Sequence, residues 1–203
     1  MVLDGITVLF DTSLLSVTVG ALLIFAGTRR TGDQALTVWG AGYLLCAVGA
    51  ILFALRSRLP GFWTLDAANA SLVLAYGLFL TGARCFARLQ TRLWPIVAGP
   101  AVWLIACRID AFYGSPTARV ILFSLLVCVY VAATCLVLWR VREALPSRIP
   151  LIAVLALHGL AYFLRVPAAL VVPPPTSVNI VVTPWFIAVA IESLFHLVAS
   201  SLL

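Results

Sequence analysis

Hydrophobic residues along this chain fall into seven long runs, and the short segments between the runs carry most of the charged side chains. The hydrocarbon core of a bilayer is ~30 Å thick, so a helix rising ~1.5 Å per residue needs about 20 apolar residues to cross it. Strands of a membrane barrel would instead alternate apolar and polar positions. The pattern predicts an all-α fold, a polytopic transmembrane helical bundle with seven spans. The predicted spans are Gly5–Gly27, Ala35–Leu55, Thr64–Ala83, Leu93–Ile109, Val120–Trp139, Ile149–Val172 and Pro184–Leu203.

The fourth predicted span differs from the others, because it is short, carries Pro95 and Pro100, and runs directly into Arg108 and Asp110. Proline removes a backbone donor and interrupts a helix. A segment that enters and leaves the bilayer on one side is the alternative. Such a segment would move every later loop to the opposite side.

Composition excludes a water-soluble globular domain, since 64% of the residues are hydrophobic, 10% are charged and the mean hydropathy is +1.15. Met1–Gly5 contains Asp4 and no basic residue, so the first run is expected to be an uncleaved signal anchor. The five cysteines form no CxxC pair and lie in or beside apolar runs. We expect them to be small buried residues, with no metal site.

The basic residues are all arginines, and their distribution predicts the orientation of the chain. Eight lie in the first, third and fifth loops, whereas four lie on the other side: Arg29, Arg30, Arg84, Arg88, Arg92, Arg140, Arg142 and Arg148 against Arg56, Arg58, Arg108 and Arg119. The positive-inside rule then places the N-terminus outside and the C-terminus in the cytoplasm. The net charge of +6 therefore comes from arginines that orient the chain in the membrane. Because they are spread over short loops on both sides, no nucleic-acid partner is expected.

The loops on both sides are too short to fold as a soluble ligand-binding domain, and they contain no glycine-rich phosphate motif. A signal must therefore reach the protein within the bilayer or between its helices. The partners we expect are membrane lipid and a small hydrophobic or membrane-borne ligand.

Ionisable side chains inside the predicted spans are the main candidates for function, because each costs about 2.5–3.5 kcal/mol on insertion scales. His158, Tyr162 and Arg165 are spaced i, i+4, i+7 on one helical face, and Glu192 and His196 are spaced i, i+4 on another. Counting ~1.5 Å per residue places the two histidines at one depth and Arg165 near the depth of Glu192.

Three interpretations of this polar group stay open. The side chains simply hold the last two helices together, or they line a ligand-binding or proton-sensing cavity, or His158 and His196 ligate a haem. Further polar candidates are Asp11 in the first span, expected to lie near interfacial water, and Asp66 with Asn69 in the third, expected to cap a helix or bond between helices.

Small and aromatic residues also suggest how the helices pack. Trp39 and Trp139 are expected to anchor the inner interface. Several glycines are expected to allow close helix contacts within one subunit: Gly40, Gly42, Gly49, Gly77 and Gly82.

Segments across nearly the whole chain resemble the N-terminal membrane region of alphaproteobacterial diguanylate cyclases of the GGDEF type. The segments are Ala35–Gly40, Ala68–Ala70, Tyr76–Gly77, Gly82–Phe86, Leu145–Arg148, His158, Phe163–Pro167, Pro184–Phe186 and Glu192. The resemblance implies a sensory and anchoring module that regulates cyclic di-GMP synthesis, and it implies a homodimer, since this cyclase reaction joins two GTP molecules across two subunits. Residues 1–203 are then a single transmembrane input domain.

The GGDEF signature is absent from these residues, so no catalytic residue is assigned. The last run ends at Leu203 without a basic flank, and a cytoplasmic output domain is expected to follow it. Two alternatives are a stand-alone membrane enzyme or transporter using the histidine, arginine and glutamate cluster, and the input module of a histidine kinase.

Overall fold

Long apolar runs fold as helices here, because in a bilayer every backbone N–H and C=O must be bonded within its own segment. The computed structural model describes residues 5–29, 34–141, 148–172 and 174. The elements are α1 (Gly5–Arg29), α2 (Gln34–Ala54), the π-helical segment π1 (Phe62–Ala67), α3 (Ala68–Phe86), α4 (Trp94–Ala106), α5 (Asp110–Tyr113), α6 (Pro116–Arg140) and α7 (Arg148–Val171). Within these residues the fold is all-helical, which confirms the all-α part of the predicted fold class.

Five of the described helices are long and apolar enough to cross a membrane: α1, α2, π1 together with α3, α6 and α7. They correspond to five of the seven predicted spans. The seventh predicted span, Pro184–Leu203, lies outside the described residues.

The fourth predicted span, Leu93–Ile109, is too long. Its helix, α4, has 13 residues, which at ~1.5 Å each is about 20 Å, short of the ~30 Å hydrocarbon core. Pro95 in the first turn fixes where α4 begins. Beyond Ala106 the chain leaves the helix in a turn before the four-residue α5.

The helix α4 begins beside the middle of α3. A Cβ atom built on Gly77 would lie 2.9 Å from Cα of Ile96, so the two backbones are in direct contact there. On the opposite side, the Tyr130 hydroxyl of α6 accepts from the Gly99 amide at 3.0 Å and donates to the Pro95 carbonyl. These two backbone groups are four residues apart, so Tyr130 ties the first turn of α4 to α6.

Among the described residues, the core contains two groups of buried side chains. The larger one joins α3, α4, α6 and α7 and is rich in aromatic rings: Val73, Tyr76, Leu80, Trp103, Cys107, Phe123, Val127, Tyr130, Val131 and Tyr162. The smaller one lies nearer the other end of the bundle: Ala35, Trp39, Ala83, Leu138 and Leu151. Large apolar side chains remain exposed on the outer faces of α1, α4, α6 and α7, as a lipid-facing surface requires.

The prediction that Trp39 anchors the membrane interface is wrong. Its ring is buried, and its Nε1 donates to the Phe79 carbonyl at 2.9 Å. A buried indole N–H needs such an acceptor, and the missing side chain of Gly82 makes room for the ring. Trp139, in contrast, is largely exposed.

Close contacts at glycine are confirmed within the subunit. A Cβ on Gly40 would lie 2.7 Å from the Gly20 carbonyl oxygen, which brings the backbones of α1 and α2 together. The other predicted glycines, Gly42, Gly49, Gly77 and Gly82, likewise lie against neighbouring helices. Gly20 was not singled out from the sequence.

Candidate functional site

A buried hydrogen bond joins the middle of α3 to α7. The Tyr76 hydroxyl and Nε2 of His158 lie 2.7 Å apart, and both side chains are buried. Their rings are also stacked, with centroids 5.9 Å apart and an interplanar angle of 26°. A predicted site residue, His158, therefore contacts α3 through a tyrosine that the site prediction did not include.

Two further predicted residues extend this contact along α7. Tyr162 is buried, and its ring lies 5.0 Å from the His158 ring and 6.4 Å from the Tyr76 ring. The Arg165 guanidinium lies over the Tyr162 ring, 4.8 Å from its centroid, a cation–π arrangement. The predicted face of His158, Tyr162 and Arg165 is thus confirmed as one face, and it packs towards α3 and α6. We call these three residues and Tyr76 the central cluster.

The central cluster combines one imidazole, two phenol hydroxyls and one guanidinium in an aromatic environment. A hydroxyl both donates and accepts, so Tyr76 can bond either tautomer of His158, and the pair can pass a proton or bond a polar atom of an apolar ligand. Iron coordination through Nε2 of His158 would require loss of the Tyr76 bond. Glu192 and His196 lie outside the described residues, so their pairing with α7 and the haem interpretation stay predictions.

A second polar contact lies near the start of the third long helix. Asp66 of π1 is 1% exposed and forms an ion pair with Arg108, whose side chain is 62% exposed. Arg108 follows α4, so the pair places the end of α4 beside the beginning of the π1–α3 helix. Among the described residues, Oδ1 of Asp66 has no hydrogen-bond partner.

Helix capping is therefore the wrong role for Asp66, which lies inside a continuous helix and bonds to a different segment. Asn69 donates from Nδ2 to the Leu65 carbonyl at 2.8 Å, within its own helix. This bond is neither a cap nor a contact between helices. Asp11 lies exposed on the surface of α1, and its position near interfacial water stays a prediction.

No group of three or more histidine, cysteine, aspartate or glutamate side chains is placed to hold a metal ion in the part of the chain that the structure describes. The five cysteines are all free thiols; Cys46 and Cys107 are buried, and Cys85, Cys128 and Cys135 are half-buried.

No protein-family model matches the chain, and no curated protein or solved structure is significantly similar to it.

Proposed function

We propose that this chain is the membrane-embedded signal-input module of a signalling protein, and that the central cluster receives the signal. The observation that carries the proposal is the buried Tyr76–His158 hydrogen bond between α3 and α7. A ligand or proton that changes this bond alters how the two helices pack. Packed helices have discrete arrangements, so a local change at such a contact becomes a helix shift.

The output that we propose is cyclic di-GMP synthesis by a GGDEF domain on the cytoplasmic side, with residues 1–203 as a single transmembrane module. The resemblance of the segments named in the sequence analysis to cyclase membrane regions is the reason for this choice. The resemblance also implies a homodimer, since the two output domains must meet. A small hydrophobic or membrane-borne ligand is the proposed signal, because the loops between the described helices are short.

Loss of the Tyr76 hydroxyl is expected to change cyclic di-GMP formation by about fivefold. A buried hydrogen bond contributes ~1 kcal/mol, and a bond that differs between two signalling states biases their equilibrium by that amount. The assay compares the full-length protein and Tyr76→Phe in membranes, with Arg165→Gln as a second variant. Tyr43→Phe is the matched control, since Tyr43 is also a buried tyrosine but lies on α2, where its ring packs on Phe79.

Equal output from wild type, Tyr76→Phe and Arg165→Gln would contradict a signalling role for the central cluster. A reading frame without a GGDEF domain after Leu203 would contradict the cyclase assignment. A reading frame that continues into a histidine kinase would agree with the proposed input function but would give the protein a different output domain.

For topology, we propose an outside N-terminus and a cytoplasmic C-terminus in a bacterial inner membrane, supported by the eight-to-four arginine distribution. Reporter fusions at Gln90 and at Gly114, on either side of α4, are expected to give opposite results. A reporter active only in the cytoplasm should work at Gln90, and one active only in the periplasm should work at Gly114. The same reporter working at both positions would contradict this topology.

A transporter is the second candidate function. It is favoured by α4, which begins beside the middle of α3 and contains Pro100, because transporter sites often form at interrupted helices near the bilayer midplane. A gene that encodes no domain beyond Leu203 would favour this candidate.

A further inference from the structure

Arginines converge at the end of the bundle where α2 ends, π1 and α5 lie, and α6 begins. The segments at this end contain four arginines and two aspartates, so their net charge is positive: Arg56, Arg58, Arg108 and Arg119 against Asp66 and Asp110. One of the aspartates, Asp66, is buried in its ion pair with Arg108. Outside this pair the same end keeps Arg56, Arg58 and Arg119 against Asp110, so its net charge remains positive.

Two of these arginines are held in place by the fold. Arg119 donates from Nη1 to the Tyr113 carbonyl, and its guanidinium lies 6.0 Å from the centroid of the Tyr113 ring. The Arg56 guanidinium lies 5.3 Å from the centroid of the Phe53 ring. The loop that carries Arg56 packs on α5, since a Cβ on Gly61 would lie 2.6 Å from the Tyr113 hydroxyl oxygen.

The charges of Arg56 and Arg119 act on each other. Burial lowers the pKa of Arg56, and the positive charge of Arg119 lowers it further. A net positive charge at this end of the bundle favours the approach of an anion. Phosphate suits this geometry, because a guanidinium can donate two parallel hydrogen bonds to its oxygens.

The surroundings of these arginines are apolar rather than fully aqueous. Phe62, Trp63 and Ile109 are each about half exposed. Ile109 directly follows Arg108, and Trp63 precedes Asp66 by three residues on the same helix. Exposed aromatic rings next to arginines are typical of the level of lipid headgroups, where one part of the site contacts water and another contacts acyl chains.

We propose that Arg56, Arg108 and Arg119 form a binding site for the phosphate of an anionic phospholipid. The arginines contact the headgroup, and the exposed side chains of Phe62, Trp63 and Ile109 contact its acyl chains. This site lies at the end of the bundle, apart from the central cluster, and it does not depend on the proposed signalling function.

The test measures lipid binding to the purified full chain by native mass spectrometry, after incorporation into bilayers of phosphatidylcholine with phosphatidylglycerol. Wild type is expected to retain phosphatidylglycerol in preference to phosphatidylcholine. Arg56→Gln and Arg119→Gln are each expected to reduce that retention about fivefold, the effect of one arginine near an anionic surface. Arg92→Gln, an exposed arginine outside this end, is the control and is expected to retain lipid as wild type does.

Arg56→Gln keeps the bond between Arg119 and Tyr113, so it remains informative if Arg119→Gln fails to fold. Equal retention of the two lipids by wild type would overturn the proposal. An equal loss in Arg92→Gln would also overturn it, because general charge attraction would then explain binding. If millimolar inorganic phosphate releases the lipid, the ligand of this site is a free anion and not a phospholipid.

Discussion

Gly77→Ala is expected to destabilise the bundle by about 2 kcal/mol, within the range of overpacked cores. The added methyl group would lie 2.9 Å from Cα and 3.1 Å from the carbonyl oxygen of Ile96. Backbone atoms cannot turn aside as a side chain can, so α3 and α4 must separate. Tyr130 opposes that movement, because it holds the first turn of α4 against α6.

Thermal unfolding of the purified protein in detergent measures this effect, and Gly159→Ala is the matched control. Both glycines are in helices, so both variants gain the same ~1 kcal/mol of helix propensity. Among the described residues, a Cβ on Gly159 meets the side chain of Val131 alone, at 3.1 Å from Cγ1, and a side chain can adjust. Equal unfolding temperatures for the two variants would contradict the direct backbone contact.

Arg108→Gln is expected to cost about 2–3 kcal/mol, and adding Asp66→Asn is expected to restore at least half of that loss. The single variant leaves the buried Asp66 carboxylate without its countercharge, whereas the double variant buries a neutral amide. Removing one partner of a fully buried pair typically costs 3–5 kcal/mol. Here the cost is lower because Arg108 is largely exposed.

The same thermal measurement applies to this pair, with Asp66→Asn alone and Arg58→Gln as controls. Asp66→Asn leaves an exposed arginine in water, so it should cost less than Arg108→Gln. Arg58 is exposed, and its replacement should stay within about 0.5 kcal/mol of wild type. A double variant less stable than Arg108→Gln would show that the pair has no charge-compensating role.

The helix formed by π1 and α3 carries both the Gly77 contact with α4 and the Asp66–Arg108 ion pair. It carries Asp66 near its beginning and Tyr76 and Gly77 at its middle, so one rigid element contacts the chain after α4, α4 itself and α7. A displacement of this helix would change the Tyr76–His158 bond. Arg108→Gln is therefore a useful variant in the cyclic di-GMP assay as well.

The sequence predicted part of the central cluster. His158, Tyr162 and Arg165 were found because an ionisable residue in an apolar run is costly, and helical spacing then shows which neighbours share its face. Tyr76 was missed because a tyrosine within an apolar run has the pattern of an ordinary core residue. The signal available was its hydroxyl, which needs a partner when it is buried.

For Trp39 and Asp66 as well, the sequence did not identify the contact that the structure shows. Their positions near the ends of apolar runs suggested an interfacial anchor for Trp39 and, for Asp66, either a helix cap or a bond between helices whose partner the sequence did not identify. Their actual partners, the Phe79 carbonyl and Arg108, lie 40 and 42 residues away. Residue spacing within one helix gives no information about contacts between residues this far apart in the sequence.

The sequence by itself determined that this protein is helical and that five of its described segments have the length and apolar composition to cross a membrane. Both properties follow from the cost of placing polar backbone and side chains in hydrocarbon, a cost that each segment meets alone. Only the tertiary structure decided the short α4, the burial of Trp39, the Asp66–Arg108 pair and the partner of His158. Each of these depends on which surfaces of two distant helices meet, and that choice is made by packing between them.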